Sequence, residues 1–214
     1  MTKPTWDAIF AKQQWGRYPS EMVVREVMSW KKRQCPWGGP DRLPALDLGC
    51  GGGAHAMFLA ENGFEVTAMD SSREALHQTE KNCLRRGLDD YVRYVEMDYI
   101  ANPIAWQHYH CPSVTLDWLS LAHAPAEHAE RVMREHLFHL QRMGIYIVGL
   151  FGKATSPATF EGRPPCPLWT RGGVEGIAQV IVKDAPGCKY RIEEQAYTRN
   201  GDLTQIFCLV FSKD

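Results

Sequence analysis

The chain has 214 residues, 44% apolar and 23% charged, a composition that fits one globular domain and excludes disordered, collagen-like and membrane-embedded classes. Its 24 basic and 25 acidic residues leave a net charge of −1, so no global field draws it to nucleic acid or anionic lipid. The basic clusters Lys31-Lys32-Arg33 and Arg85-Arg86 read as solvated helix faces.

The longest apolar run, from Gly144 to Gly152, is roughly half the length that a spanning helix needs, and MTKPTWDAIFAKQQWGRYPS lacks a signal-peptide pattern. A cytoplasmic protein without membrane contact is the expectation. Seven scattered cysteines without a C-x-x-C pair predict buried or incidental thiols and no metal site.

In chain order, Trp6, Ile9 and Phe10, then Met22, Val23, Val27, Met28 and Trp30, recur at helical intervals around WGRYPS. They predict two helices about a turn, with Pro19 in the first turn of the second. The proline- and glycine-rich stretch from Cys35 to Pro44 reads as a loop. At Ala45 the pattern changes to strand, turn and helix: ALDL, the glycine cluster Gly49 to Gly53, then AHAMFLAEN closed by Gly63. A second strand, FEVTAM, ends at Asp70. Ser71 and Glu74 are spaced as a capping box for a helix to about Arg86.

A third strand, VRYVEM, ends at Asp98; a fourth, SVTLD, ends at Asp117. A helix from Pro125 to Gln141 and a fifth strand, GIYIVGLF, follow. Beyond the loop from Lys153 to Gly173 come a short apolar helix and two strands, KYRIEEQAY and TQIFCLVFS, about the turn signal Asn200-Gly201. The fold class is therefore α/β: a doubly wound, mostly parallel seven-stranded sheet with an antiparallel C-terminal hairpin strand and an N-terminal helical cap. Residues 1–214 read as one domain, with 1–44 as cap and loop, 45–150 as cofactor-binding core, and 151–214 as lid loop and hairpin.

Asp47-Leu48-Gly49-Cys50-Gly51-Gly52-Gly53 places a D-x-G-x-G-x-G pattern between a strand and a helix, where ligands bind in doubly wound folds. Gly49, Gly51 and Ala54 also satisfy the dinucleotide pattern G-x-G-x-x-G/A, so an NAD-dependent oxidoreductase is one reading. Asp70 would hold ribose hydroxyls of either cofactor. Three features favour S-adenosylmethionine: Asp47 before the glycines, Asp98 after the third strand where an adenine amine would be read, and the terminal hairpin. A cofactor without pyrophosphate has no need of a phosphate site at the helix N-terminus.

ALDLGCGGGAHAMFLAENGFEVTAMDSS resembles the nucleotide-binding half of class I S-adenosylmethionine-dependent methyltransferases of the small-molecule type. That resemblance implies Gly49, Cys50, Gly51 and Gly53 along the methionine and ribose, Asp47 beside them, Asp70 and Ser71 at the ribose, and Asp98 with Tyr99 flanking the adenine. In the N-terminal cap it implies Arg17 on the methionine carboxylate and Trp15 or Tyr18 shielding the methyl group, although the same residues also suit two core-packing helices. After the fourth strand it implies Asp117 and Trp118 at the cofactor, and His123 as the catalytic proton acceptor or a mere loop histidine.

Phe160 and Trp169, on the long loop, would contact the acceptor if that loop is a lid. Amino-methyltransferases of nucleic acids carry N/D-P-P-aromatic where this chain reads DWLS, so a small-molecule acceptor is expected, with S-adenosylhomocysteine as product. A non-catalytic scaffold of the same fold is the third reading. Acceptor identity and oligomeric state are not legible.

Overall fold

A computed structural model of the chain describes residues 5–13, 18–35, 42–156, 166–199 and 202–214. Its strands are β1 (Leu43–Leu48), β2 (Phe64–Asp70), β3 (Val92–Glu96), β4 (Val114–Trp118), β5 (Ile145–Phe151), β6 (Cys188–Arg199) and β7 (Asp202–Lys213). They form one sheet in the order β3-β2-β1-β4-β5-β7-β6. The first five strands run parallel, and β7 returns antiparallel between β5 and β6. The chain thus winds outward from β1 in both directions, and the crevice between β1 and β4 is where such a sheet takes a ligand.

The helices are α1 (Trp6–Phe10), α2 (Glu21–Gln34), α3 (Ala54–Glu61), α4 (Arg73–Leu84), α5 (Ala126–His139) and α6 (Arg171–Lys183). Alternation along the strands feeds two cores. On one face Ala45, Val66 and Leu116 pack with Val23, Val27 and Trp30 of α2 and with Leu59 and Leu76 of α3 and α4. On the other, Leu46, Leu48, Tyr146 and Val148 pack with Val132, Met133 and Leu137 of α5 and with Val174 and Ile181 of α6. The buried stripe of α5, Ala129, Val132, Met133, His136 and Leu137, has the i, i+3, i+4, i+7, i+8 spacing of a helix with one covered side.

Local chemistry shifts several expected boundaries. β1 begins at Leu43, opposite Phe64. Pro44 is accommodated at its second residue, near the strand end where a missing amide costs least, and its carbonyl accepts from the Ser113 amide at 2.8 Å. The cap of α4 is Ser72, not Ser71: its hydroxyl accepts from the Ala75 amide at 3.1 Å, while the Asp70 carboxylate holds the Ser72 amide at 2.8 Å and keeps Ser71 in the turn. Pro19 precedes the cap residue Ser20 of α2 and lies outside that helix. β3 stops at Glu96, leaving Asp98 in a turn, and α6 starts at Arg171, within the stretch read as loop.

Trp169, expected to contact the acceptor, is 7% exposed and belongs to the α5 and α6 core; its backbone bridges to Gly152 in parallel fashion. An indole seated in the core presents nothing to a ligand, and this corrects that expectation. Trp15, Arg17, Phe160 and the Asn200-Gly201 turn lie outside the described residues. Among the described residues no helix is long and apolar enough to cross a membrane.

Phe64 is fully buried at the start of β2, with its ring 6.2 Å from that of Trp30. Phe64→Ala is expected to cost about 3–5 kcal/mol, measured as a lowered urea midpoint with an unchanged slope.

Candidate active site

From Leu48 the chain turns through Gly49-Cys50-Gly51-Gly52-Gly53 into α3. Two of these glycines are demanded by their surroundings. Gly49 has φ +63°, and a side chain there would overlap that of Ser120; Gly53 has φ +82°, and an added Cβ would lie 2.6 Å from Thr79 Cγ2. Gly53 therefore serves the packing of the loop on α4 and does not line the cavity, which corrects its expected ligand contact.

The loop is fixed by polar groups of β2 and α4. Asp70 accepts from the Gly51 amide at 2.9 Å through one oxygen and from the Ser72 amide at 2.8 Å through the other. Thr79 donates to the Gly51 carbonyl at 2.7 Å and Asn82 to the Gly52 carbonyl at 3.0 Å. A carboxylate has about four acceptor positions, so Asp70 keeps capacity for further donors on its cavity side.

A cavity of about 610 Å³ opens over this loop, within the usual size range for small-molecule sites. Gly49, Cys50, Gly51, Asp70, Ser71, Asp98 and Tyr99 line one part of it, and Trp118, Ser120, His123, Phe151 and Ile206 another. The short α1 forms a cover with Trp6 and Phe10. The Trp6 ring meets His123 edge-on at 5.0 Å. Asp7 anchors this cover by accepting from the Ser72 hydroxyl at 2.7 Å, which holds its carboxyl below the usual range. Tyr18, Gln195 and Tyr197 complete the lining at the mouth.

Three carboxylates end adjacent strands of this crevice. Asp70 is 7% exposed, while Asp47 and Asp117 are buried and do not line the cavity, so the direct ligand contacts expected of those two are corrected. Asp117 Oδ1 accepts from the Leu121 amide at 2.8 Å. Its other oxygen lies 2.7 Å from the Tyr99 hydroxyl, which lies 2.7 Å from Ser120 Oγ at the cavity wall. Tyr99 thereby ties the turn after β3 to the end of β4, a connection its spacing did not predict.

Asp47 Oδ2 has no hydrogen-bond partner among the described residues. Burial, then the charges of Asp117 and Asp70, push the Asp47 carboxyl up to about 8; burial pushes Asp117 up to about 7 and also raises Asp70.

Cys50, Ser71, Trp118, Tyr18 and His123 line the cavity with the glycines. Asp98 lines it too, yet one of its oxygens is committed to the turn, accepting from the Ile100 and Ala101 amides at 3.1 and 3.0 Å. Leu119 adopts φ +69°, a strained conformation for a branched residue, and turns the chain from β4 toward Ser120 and His123. Sequence reading missed Trp6, Phe10, His55, Ser120, Gln195 and Tyr197 as site residues. The i, i+4 pair Trp6 and Phe10 marked a common helix side; nothing local marked the others.

A family profile described as a methyltransferase domain matches residues 45–144. That stretch, β1 to the start of β5 with the glycine loop and Asp70, is a methyltransferase domain by this match. A curated relative, the cypemycin N-terminal methyltransferase of a Streptomyces species, is 38% identical over 73 residues, which is 34% of this chain and 27% of that enzyme. Among solved structures, the plantazolicin methyltransferase BamL with a triazolic desmethylPZN analogue and SAH has a TM-score of 0.68 at 11% identity, covering 90% of this chain and 84% of that one. Magnesium protoporphyrin IX methyltransferase (ChlM) from Synechocystis PCC 6803 with bound SAM has a TM-score of 0.61 at 15% identity, covering 88% and 78%.

S-adenosylmethionine is the cofactor of such domains, and the residues fit it: Asp70 faces the cavity with acceptor capacity to spare, and Gly49 and Gly51 line it. The dinucleotide reading of the glycines is set aside by the family match.

Buried Asp47 and Asp117 have folded-state pKa values raised above the ordinary carboxylate range. Their stabilising effect is full below the unfolded-state value and is lost as pH rises through about 7 and 8. Asp47→Asn is expected to raise the melting temperature more at pH 8.5 than at pH 5, with each kcal/mol gained appearing as about 2–4 °C. Calorimetric melts of both proteins across that range check the sign.

Proposed function

We propose that this chain transfers the methyl group of S-adenosylmethionine to a small-molecule acceptor, with S-adenosylhomocysteine as product. The observation that carries the reading is the cavity in which the Asp70-fixed glycine loop faces an aromatic enclosure built from both ends of the chain. Two of the relatives are named for cypemycin and plantazolicin, which supports a natural-product acceptor.

The cofactor, when bound, supplies a methyl group already activated on a sulfonium, open to in-line displacement. The protein's task is then to bind, orient and exclude water. Asp70 would hold the ribose hydroxyls, with Ser71 beside it and Asp98 at the adenine. Trp6 and Phe10 cover the site and keep solvent from it, and Trp118 presents an aromatic wall.

His123, the expected proton acceptor, stands at the cavity wall beneath Trp6. A base matters for a hydroxyl or protonated amine acceptor and is dispensable for a thiolate. Gln195 and Tyr197 of β6 stand across the mouth, where an acceptor would enter.

Titration calorimetry with S-adenosylhomocysteine tests the cofactor half. Binding to the wild type and an affinity loss of about 10- to 100-fold in Asp70→Ala are expected, the scale of hydrogen bonds to a charged group. The acceptor half is tested by incubating the chain with S-adenosylmethionine and candidate natural products and following the mass gain of one methyl group. His123→Gln should slow transfer to a hydroxyl acceptor by about 10²–10⁴-fold and leave S-adenosylhomocysteine affinity intact. Binding without transfer to any acceptor would favour a scaffold.

A further inference from the structure

His55 is the second residue of α3, directly after the glycine loop, and it lines the cavity. Its Nε2 accepts the backbone amide of Ser20 at 3.1 Å. A ring nitrogen that accepts a hydrogen bond carries no proton, so the neutral imidazole bears its proton on Nδ1. No described residue takes a hydrogen bond from that nitrogen. Burial pushes the ring's pKa down to about 4, so at neutral pH the side chain is an uncharged donor of fixed tautomer.

Resting on the methyl-donor reading above, we propose that His55 is a ligand-binding residue, its tautomer set by the Ser20 amide, and that its Nδ1–H takes the carboxylate of the donor's amino-acid tail.

Placement assigns it to that end of the ligand. Asp70 ends β2 and Asp98 lies in the turn just past β3. A nucleoside held there leaves the tail to run across Gly49 toward β4 and α3, where His55 stands with its ring 6.3 Å from that of Trp118. Charge agrees with placement. The charged side chains among the described lining residues are the two carboxylates Asp70 and Asp98, and neither welcomes a third. The first turn of α3 has no acidic residue, and the imidazole N–H of His55 at the cavity wall is the group there that favours an anion.

The arrangement also joins the cofactor to the N-terminal segment, because the tautomer depends on a backbone amide just ahead of α2. That amide can be removed almost alone. Ser20 has φ −63° and makes no side-chain cap bond, so proline, whose ring holds φ near −65°, would keep the helix start and delete the N–H.

The test is titration calorimetry of the full chain with two probes: S-adenosylhomocysteine, and 5′-methylthioadenosine, which keeps the nucleoside and thioether but lacks the carboxylate and amine. In His55→Phe the first should bind about 10- to 100-fold more weakly and the second unchanged; the unchanged probe also certifies the fold. Ser20→Pro should lose part of the same discrimination, and His55→Gln, which retains an N–H donor, should recover part of it. Nitrogen-15 shifts of the His55 ring in the wild type should place the proton on Nδ1.

Unaltered S-adenosylhomocysteine affinity in His55→Phe would overturn the proposal and leave the methyl-donor reading standing, as would an equal loss for both probes. Failure of the wild type to bind either probe would overturn both.

Discussion

The site depends on one carboxylate that holds two segments together. Asp70 accepts from the Gly51 amide with one oxygen and from the Ser72 amide with the other, fixing the glycine loop of β1 to the entry of α4. A run of glycines is open to ligand because it has no side chains, and for the same reason it has no preferred shape. Asp70, with Thr79 and Asn82 on the loop carbonyls, supplies the shape. The residue proposed for the ribose hydroxyls is thus also the one that keeps the loop in shape, so ligand binding would not have to pay for ordering it.

Holding three carboxylates at the ends of β1, β2 and β4 has an electrostatic cost. Asp47 and Asp117 are buried without a cation among their described hydrogen-bond partners, and both pKa values move toward neutrality. Near pH 7 these two carboxyls are partly protonated, so a cationic cofactor bound above them would favour their ionised forms, whereas an anionic one would oppose them. The Asp117, Tyr99 and Ser120 chain carries this field to the cavity wall through hydrogen bonds of 2.7 Å.

Half of this was legible in the sequence. The strand, glycine turn, helix and second strand of residues 45–70 lie within one short window, so periodicity and the glycines disclosed them, and Asp70 stood out because it ends a strand 17 residues beyond Gly53. The capping of α4 was misplaced by one residue because Asp70 competes for the Ser72 amide, a tertiary demand that a spacing rule omits. Asp117 was expected at the ligand from the family resemblance of the segment after the fourth strand, but the way a carboxylate there turns is decided by its partners, here Tyr99 and the Leu121 amide. Trp169 was misread because an aromatic in a long loop looks the same in sequence whether it enters a pocket or the core.

The proposed acceptor end was illegible for a different reason. Its walls come from α1, the segment before α2, and β6 and β7, residues near both ends of the chain that no local pattern links. They meet because β7 inserts antiparallel between β5 and β6, which places Gln195, Tyr197 and Ile206 above the parallel strands, and because Asp7 of α1 grips the Ser72 hydroxyl. On the proposed reading, the cofactor half is written in one contiguous βαβ unit and the acceptor half in the topology. A site divided in this way lets the N-terminal cover and the hairpin vary with the acceptor while the cofactor contacts stay where β1 and β2 put them.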